Sequence, residues 1–247
     1  MKKRLDVLLV ERGLAPTRQR AQGLIMSGNV LVGDVPVTKP GHAVADDSSI
    51  RVRGEEHPYV SRAALKLVAG FDQFGVSAEG RIGLDIGAST GGFTQVLLER
   101  GAARVFAIDV GHNQMDWQIR KDPRVTLFEK TNARNLEFNL IGTSVGVIVV
   151  DVSFISLVKI LPALVQFSNG SETDWVTLIK PQFEVGREKV GKGGIVTSEA
   201  DRQEVVARIT EFAGTLGLER RGLVDSPIAG TDGNRELLAW WKLADSR

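Results

Sequence analysis

Apolar residues recur along this chain in two rhythms, one in each of two parts. Near the start, Leu5, Leu8 and Leu9, then Ala21, Leu24 and Ile25, fall at the i, i+3, i+4 spacing of a helix face. Thr17, after Pro16, is placed to cap the second of these short helices, and Gly28-Asn29 to stop it. Residues 30–37 then read as a hairpin about Gly33-Asp34, and 50–53 as another strand. From a helix beginning near Ser61 onward, apolar runs at 82–86, 105–109, 147–151 and 175–180 alternate with helical segments. That is the rhythm of a parallel sheet with crossover helices. Ser198 with Asp201 three residues on opens a helix whose apolar face is Val205, Ile209, Phe212, Ala213 and Leu216, ending at Gly217. The last strands fall at 223–224 and 237–241. The turn around 230–233 is too tight for a crossover helix, so the final strand is expected antiparallel to its neighbour.

These patterns predict a small α+β module at 1–54, a linker at 55–60 and an α/β domain at 61–247. The polar run before Pro58 has no apolar period, and a helix does not run easily through the residue before proline.

Charge sharpens the division. The net charge is +1, but residues 1–30 carry six basic side chains against two acidic ones, leaving the remainder negative. A basic module in front of a nearly neutral domain suits an anionic polymer, although a solvated helix face would look the same. Cysteine is absent, which removes disulfides, thiolate metal sites and every thiolate nucleophile, including the covalent route to carbon 5 of a pyrimidine. Three scattered histidines give no metal motif. Asp6, Glu11 and Arg12 interrupt any signal-peptide core, and Asp151, Lys159 and Pro162 interrupt the most apolar stretch, so a soluble cytoplasmic protein is expected.

The strongest chemical signal is Asp85-Ile86-Gly87-Ala88-Ser89-Thr90-Gly91-Gly92-Phe93, at the end of one apolar strand, with Asp109-Val110 at the end of the next. Glycines let backbone approach a ligand, and an acid closing the following strand can accept hydrogen bonds from ribose hydroxyls. The spacing is G-x-x-x-G-G, not the G-x-G-x-x-G of dinucleotide sites, where pyrophosphate sits on the helix N-terminus. Asp85 beside the turn suits a positively charged ligand. S-adenosylmethionine, which carries an ammonium and a sulfonium but no phosphate, is the favoured cofactor. A tight structural turn with Asp85 as a helix cap is the alternative.

Ligands of open parallel sheets bind beyond the carboxyl ends of the strands. Asp109, Asp151 and Lys180 each close an expected strand and should face one crevice. Methyl transfer to a hydroxyl requires removal of its proton, for which Lys180 beside Asp151 is a credible pair. The segment Asp151-Val152-Ser153-Phe154 is not the Asn-Pro-Pro-Tyr that holds an exocyclic base amine, which disfavours N-methylation of adenine. Residues 186–193 come close to a phosphate-binding loop, but Gly193 replaces its hydroxyl residue. They read as a mobile basic loop or as plain surface.

Two resemblances now stand out. Arg4-Leu5-Asp6, Gly13-Leu14, Thr17-Arg18, Ala21, Gly28-Asn29-Val30 and Thr38-Lys39-Pro40-Gly41 resemble the S4 RNA-binding domain. Ser61-Arg62-Ala63-Ala64-Leu65-Lys66-Leu67, the 85–94 segment, Asp151-Val152-Ser153-Phe154-Ile155-Ser156-Leu157 and Lys180-Pro181-Gln182-Phe183-Glu184 resemble the TlyA family, S4-fused relatives of FtsJ-type ribose methyltransferases. The resemblance implies a Rossmann-like methyltransferase fold with a mostly parallel seven-stranded sheet, its last strand antiparallel, behind a small S4 domain. It implies 2′-O-methylation of cytidine in ribosomal RNA by a tetrad mapping to Lys66, Asp151, Lys180 and Glu236. By composition alone Lys66 reads as a solvated helix residue and Glu236 as an edge-strand charge.

The cofactor set implied is Asp85, Gly87, Ala88, Ser89, Thr90, Gly91, Gly92, Phe93, Asp109, Val110 and Asn132. The RNA-binding set is Lys3, Arg4, Arg12, Arg18, Arg20 and Lys39. The chain departs from the S4 pattern at Gly33-Asp34, where Asn-Gly is usual, and ends soon after its last strand, which points to the large ribosomal subunit with the small one left open. A ribosome-assembly factor without catalysis and a pore-forming hemolysin are the competing readings.

Overall fold

The computed structural model describes residues 2–53, 57–230 and 233–244. Residues 54–56 of the expected linker, and Thr231 and Asp232 of the expected final turn, lie outside the described residues. The chain divides into two compact units, residues 1–58 and 59–247.

The first unit runs β1 (Lys2–Arg4), α1 (Leu5–Glu11), α2 (Arg18–Met26), β2 (Val30–Val32), β3 (Val35–Pro36), β4 (Ala43–Ala45) and β5 (Ile50–Val52). The two helices form as their spacing predicts. Thr17 Oγ1 accepts from the Arg20 amide at 3.1 Å to cap α2, and Leu5, Leu8, Leu9, Ala21 and Ile25 are buried together with Val30 and Val44. The hairpin of β2 and β3 turns on Gly33 at φ +64°, so Gly33-Asp34 supplies the left-handed residue that the usual Asn-Gly would. The pairing of β1 with β4 is not evident from sequence, because three-residue strands carry too little alternation to register.

The second unit runs α3 (Ala63–Phe74), β6 (Ile82–Ile86), α4 (Gly92–Glu99), β7 (Arg104–Ile108), α5 (Trp117–Arg120), β8 (Val125–Phe128), α6 (Phe138–Ile141), β9 (Val147–Val150), α7 (Leu161–Leu164), β10 (Asp174–Ile179), α8 (Glu199–Thr215), β11 (Leu218–Asp225) and β12 (Leu237–Leu243). Its seven strands lie in the order β11-β12-β10-β9-β6-β7-β8, and only β12 runs against the others. Successive residues of a strand face opposite layers. In β9, Val147 and Val149 pack with α3 and α4, while Ile148 and Val150 pack with α7 and α8. Burial on both faces explains why the central strands read as unbroken apolar runs. No helix among the described residues is long and apolar enough to cross a membrane.

Candidate active site

The glycine turn follows β6, an interior strand next to the central β9, and opens α4. Gly87 has φ +84°, and a Cβ there would lie 2.2 Å from the carbonyl oxygen of Asp151. Glycine is therefore required at this point for the ends of β6 and β9 to come together, in addition to any ligand's need. Gly91, at φ +94°, lets the chain reverse into α4, and the segment before α5 closes over it, with the Asp116 amide bonded to Thr90 at 3.1 Å. Ser89 and Thr90 are exposed on the turn, whereas Ala88, Gly92 and Phe93 are buried beneath it.

Asp85 is fully buried under this turn. Its Oδ2 accepts from Thr94 Oγ1 at 2.6 Å, and its Oδ1 has no hydrogen-bond partner among the described residues. Burial pushes its carboxyl up to about 7, and the charges of Asp151 and Asp109 push the same way against the Thr94 bond. A buried carboxylate with one oxygen unsatisfied beside a glycine turn has the chemistry to pair with a positive group. Asp109 follows β7 and is bonded into the same rim, accepting from the Ser89 amide at 2.7 Å and the Gly111 amide at 2.6 Å. Val110 beside it is exposed. Asn132 is exposed and caps a short turn through its Oδ1, which accepts from the Arg134 amide at 3.1 Å.

The four tetrad residues form two lysine–carboxylate pairs. Lys180 follows β10 and Asp151 follows β9, and their side chains meet at 2.5 Å, each almost withdrawn from solvent. Lys180 Nζ also donates to Ser153 Oγ at 2.9 Å. Lys66, on the first turns of α3, meets Glu236 just before β12 at 2.5 Å, and both are buried. This corrects the composition-based reading of these two as solvent-facing charges: each is buried because the other, 170 residues away, neutralises it. Register places the pairs at one end of the sheet. Ile179 is opposite Leu237, so Lys180 and Glu236 leave the same edge of adjacent strands, next to the end of β9 where Asp151 stands.

Sequence reasoning missed Phe154. It is 90% exposed, has a left-handed backbone at φ +63°, and its ring lies 5.0 Å from that of Phe183, so both loops beyond β9 and β10 present aromatic surface. A phenylalanine at positive φ has no sequence signature. The basic loop after Lys180 is tied down by several contacts. Lys189 pairs with Asp201 at 2.9 Å and Glu204 at 2.6 Å, and buried Asn234 bonds the Val196 amide and the Gly194 carbonyl, each at 2.9 Å.

In the first unit the structure brings Arg4 and Arg18 together. Buried Asp6 accepts from Arg4 through both oxygens at 3.0 Å, from Arg18 at 2.9 Å and from Gln22 at 2.9 Å. Arg4 chiefly, then Gln22 and Arg18, hold its carboxyl well below the usual carboxylate range against the effect of burial. Both guanidiniums stay half-exposed. Arg12 instead donates to the carbonyls of Ser48 and Asp46, and Lys3 pairs with Glu11 at 2.7 Å and Asp46 at 3.5 Å. Arg20 is half-buried on α2, and Lys39 is exposed.

A parallel sheet with one reversed strand, a glycine turn after an interior strand and charged residues at the carboxyl edge define the methyltransferase class of α/β fold. The FtsJ-like methyltransferase model matches residues 59–243, and the S4 domain model matches residues 3–50. The chain is 46% identical to the 16S/23S rRNA (cytidine-2′-O)-methyltransferase TlyA of Mycobacterium tuberculosis, over 99% of this chain and 91% of that protein. It is 43% identical to Hemolysin A of Brachyspira hyodysenteriae, over 96% of this chain and 98% of that one. A solved structure from Streptococcus thermophilus, described as a hemolysin candidate, superposes with a TM-score of 0.78 at 42% identity, covering 99% of this chain and 90% of that one. The chain belongs to the TlyA family of FtsJ-like methyltransferases that carry an S4 domain.

Proposed function

We propose that this chain transfers a methyl group from S-adenosylmethionine to the ribose 2′-hydroxyl of a cytidine in ribosomal RNA. The observation that carries the reading is the gathering of two lysine–carboxylate pairs at one sheet edge, beside a glycine turn that covers an unsatisfied buried carboxylate. The named activity of the M. tuberculosis relative supports the substrate. A ribosomal substrate also places the protein in the cytoplasm.

The cofactor fits the residues present. Asp85 would face its positive charge, Gly87–Phe93 would pass beneath it, Asp109 would accept from its ribose hydroxyls, and exposed Val110 with Asn132 would border its adenine. When bound, S-adenosylmethionine supplies a methyl carbon activated by a sulfonium. A ribose hydroxyl is a poor nucleophile until its proton is removed, so the protein must provide a base at the oxygen. Lys180 would take that proton, and the cofactor, when bound, would supply the methyl group, its carbon–sulfur bond breaking as the oxygen–carbon bond forms and a neutral thioether leaving. Asp151 and Ser153 fix the Nζ, and Asp151 stabilises the ammonium that forms. Lys66 and Glu236, paired beside them at the same sheet edge, would position the ribose. Exposed Phe154 offers the target base a flat surface once it leaves its helix. In the first unit, Arg4, Arg18, Arg20 and Lys39 engage phosphates, with Lys3 and Arg12 bracing the module that presents them.

Lys180→Ala tests the roles. Transfer should fall by about 10³-fold with cofactor binding retained. Near-normal turnover in that variant would overturn the assignment.

A further inference from the structure

Asp151 and Lys180 begin two loops that leave neighbouring strands, and a reacting pair on loops keeps its geometry only if the loops are tied to each other. Three ties join them. Next to the strands, Lys180 reaches Asp151 and Ser153. Further out, the rings of Phe154 and Phe183 meet. At the far end, buried Glu184 accepts from Ser156 Oγ at 2.6 Å and from the Leu157 amide at 2.7 Å, and Arg208 of α8 closes on the same carboxylate at 3.3 Å. The first two ties belong to the site already described. The third uses a carboxylate that has no part in proton transfer.

We propose that Glu184 is a positioning residue that locks loop 151–157 to loop 180–184 and so keeps Lys180, Asp151 and Phe154 in register for methyl transfer. The proposal rests on the reading of Lys180 and Asp151 as the reacting pair. Phe154 sits at φ +63°, a conformation a phenylalanine keeps only where its surroundings enforce it. The Glu184 bonds at the next two positions but one supply that enforcement. Burial pushes the Glu184 carboxyl up, while its bonds from Ser156 and Leu157 and the charge of Arg208 pull it back. Its role needs a planar group with an acceptor for the Leu157 amide and a partner for the Ser156 hydroxyl; a glutamine keeps the first through its carbonyl and can reverse the second by donating its NH2 to Ser156 Oγ, losing only the ion pair with Arg208.

The experiment compares wild type, Glu184→Ala, Glu184→Gln and Ser156→Ala in methyl transfer to ribosomal RNA, separating kcat from KM, with amide hydrogen exchange followed over residues 152–158. Glu184→Ala should lower kcat about 10- to 100-fold with KM for the cofactor unchanged and exchange faster in that loop. Glu184→Gln should stay within about threefold of wild type, and Ser156→Ala, which removes one bond, should fall between them. Wild-type kcat and exchange in Glu184→Ala would overturn the proposal, as would a glutamine variant as slow as the alanine one. If Glu184→Ala does not fold, Ser156→Ala decides: unchanged kcat and exchange overturn it. A wild-type chain that transfers nothing would overturn the proposed function and this role together, whereas an active wild type with an equally active Glu184→Ala overturns this role alone.

Discussion

Asp6 and Asp85 are both fully buried carboxylates, one in each unit, and their surroundings drive them in opposite directions. Asp6 is surrounded by donors from Arg4, Arg18 and Gln22 and is held ionised far into acid. Asp85 draws hydrogen bonds from Thr94 alone, through its hydroxyl and its backbone, keeps an orphaned oxygen and has two acidic neighbours, and its carboxyl rises to about 7. The donors around Asp6 offset the cost of burying its charge, whereas those around Asp85 do not. Asp6 fixes two half-exposed guanidiniums in place, whereas Asp85 keeps one oxygen without a hydrogen-bond partner among the described residues.

The largest effect is expected at Asp85. Asp85→Asn should weaken S-adenosylmethionine binding by about 2 kcal/mol, roughly 30-fold, through loss of a charge-assisted contact, and should leave the ligand-free fold at least as stable at pH 8. Isothermal titration and thermal melting would read both. Equal cofactor affinity would remove Asp85 from the site.

A comparable effect on stability is expected at the other carboxylate. Asp6→Asn should destabilise the first unit by about 2 kcal/mol, because charged hydrogen bonds are replaced by neutral ones. It should also weaken RNA binding by freeing Arg4 and Arg18 while leaving cofactor affinity unchanged. Filter binding at several salt concentrations would show the loss.

The smallest effect lies in pH, and its sign differs between the two. Asp85 keeps its proton in the folded chain above the pH at which an unfolded chain would release it. Ligand-free stability therefore falls as pH rises from about 4 to 7, and Asp85→Asn should flatten that slope. Cofactor affinity should rise over the upper part of the same window and level off above about 7, with protons released on binding below it. The Asp6 contribution is present above the ordinary carboxylate range and is lost as pH falls through and below it. Melting curves across pH in wild type and the two variants would separate these slopes.

What could be read from sequence follows from the range of each interaction. The strands at 82–86, 105–109, 147–151 and 175–180 announce themselves because both faces of a parallel strand are buried, and each observed strand agrees within one residue at either end. Strand β8 escaped because Val125–Phe128 is only half-buried at the sheet edge and too short to show a period. Strand β11 extends back to Leu218, but Glu219, Arg220 and Arg221 on this edge strand mask it. Of the tetrad, Asp151 and Lys180 were legible because they end apolar runs. Lys66 and Glu236 were not, since nothing local records a partner 170 residues away, and only the family resemblance pointed to them. Phe154 and Glu184 stood inside quoted motifs, but exposure, backbone strain and a cross-loop bond become visible only in three dimensions.

The most direct test of methyl transfer to ribosomal RNA is to incubate the protein with labelled S-adenosylmethionine and each separated ribosomal subunit lacking the modification, then analyse the nucleosides by mass spectrometry. Label should appear as 2′-O-methylcytidine, and the labelled subunit identifies the substrate particle. Label on a base, or no transfer to either subunit while the cofactor binds, would contradict it.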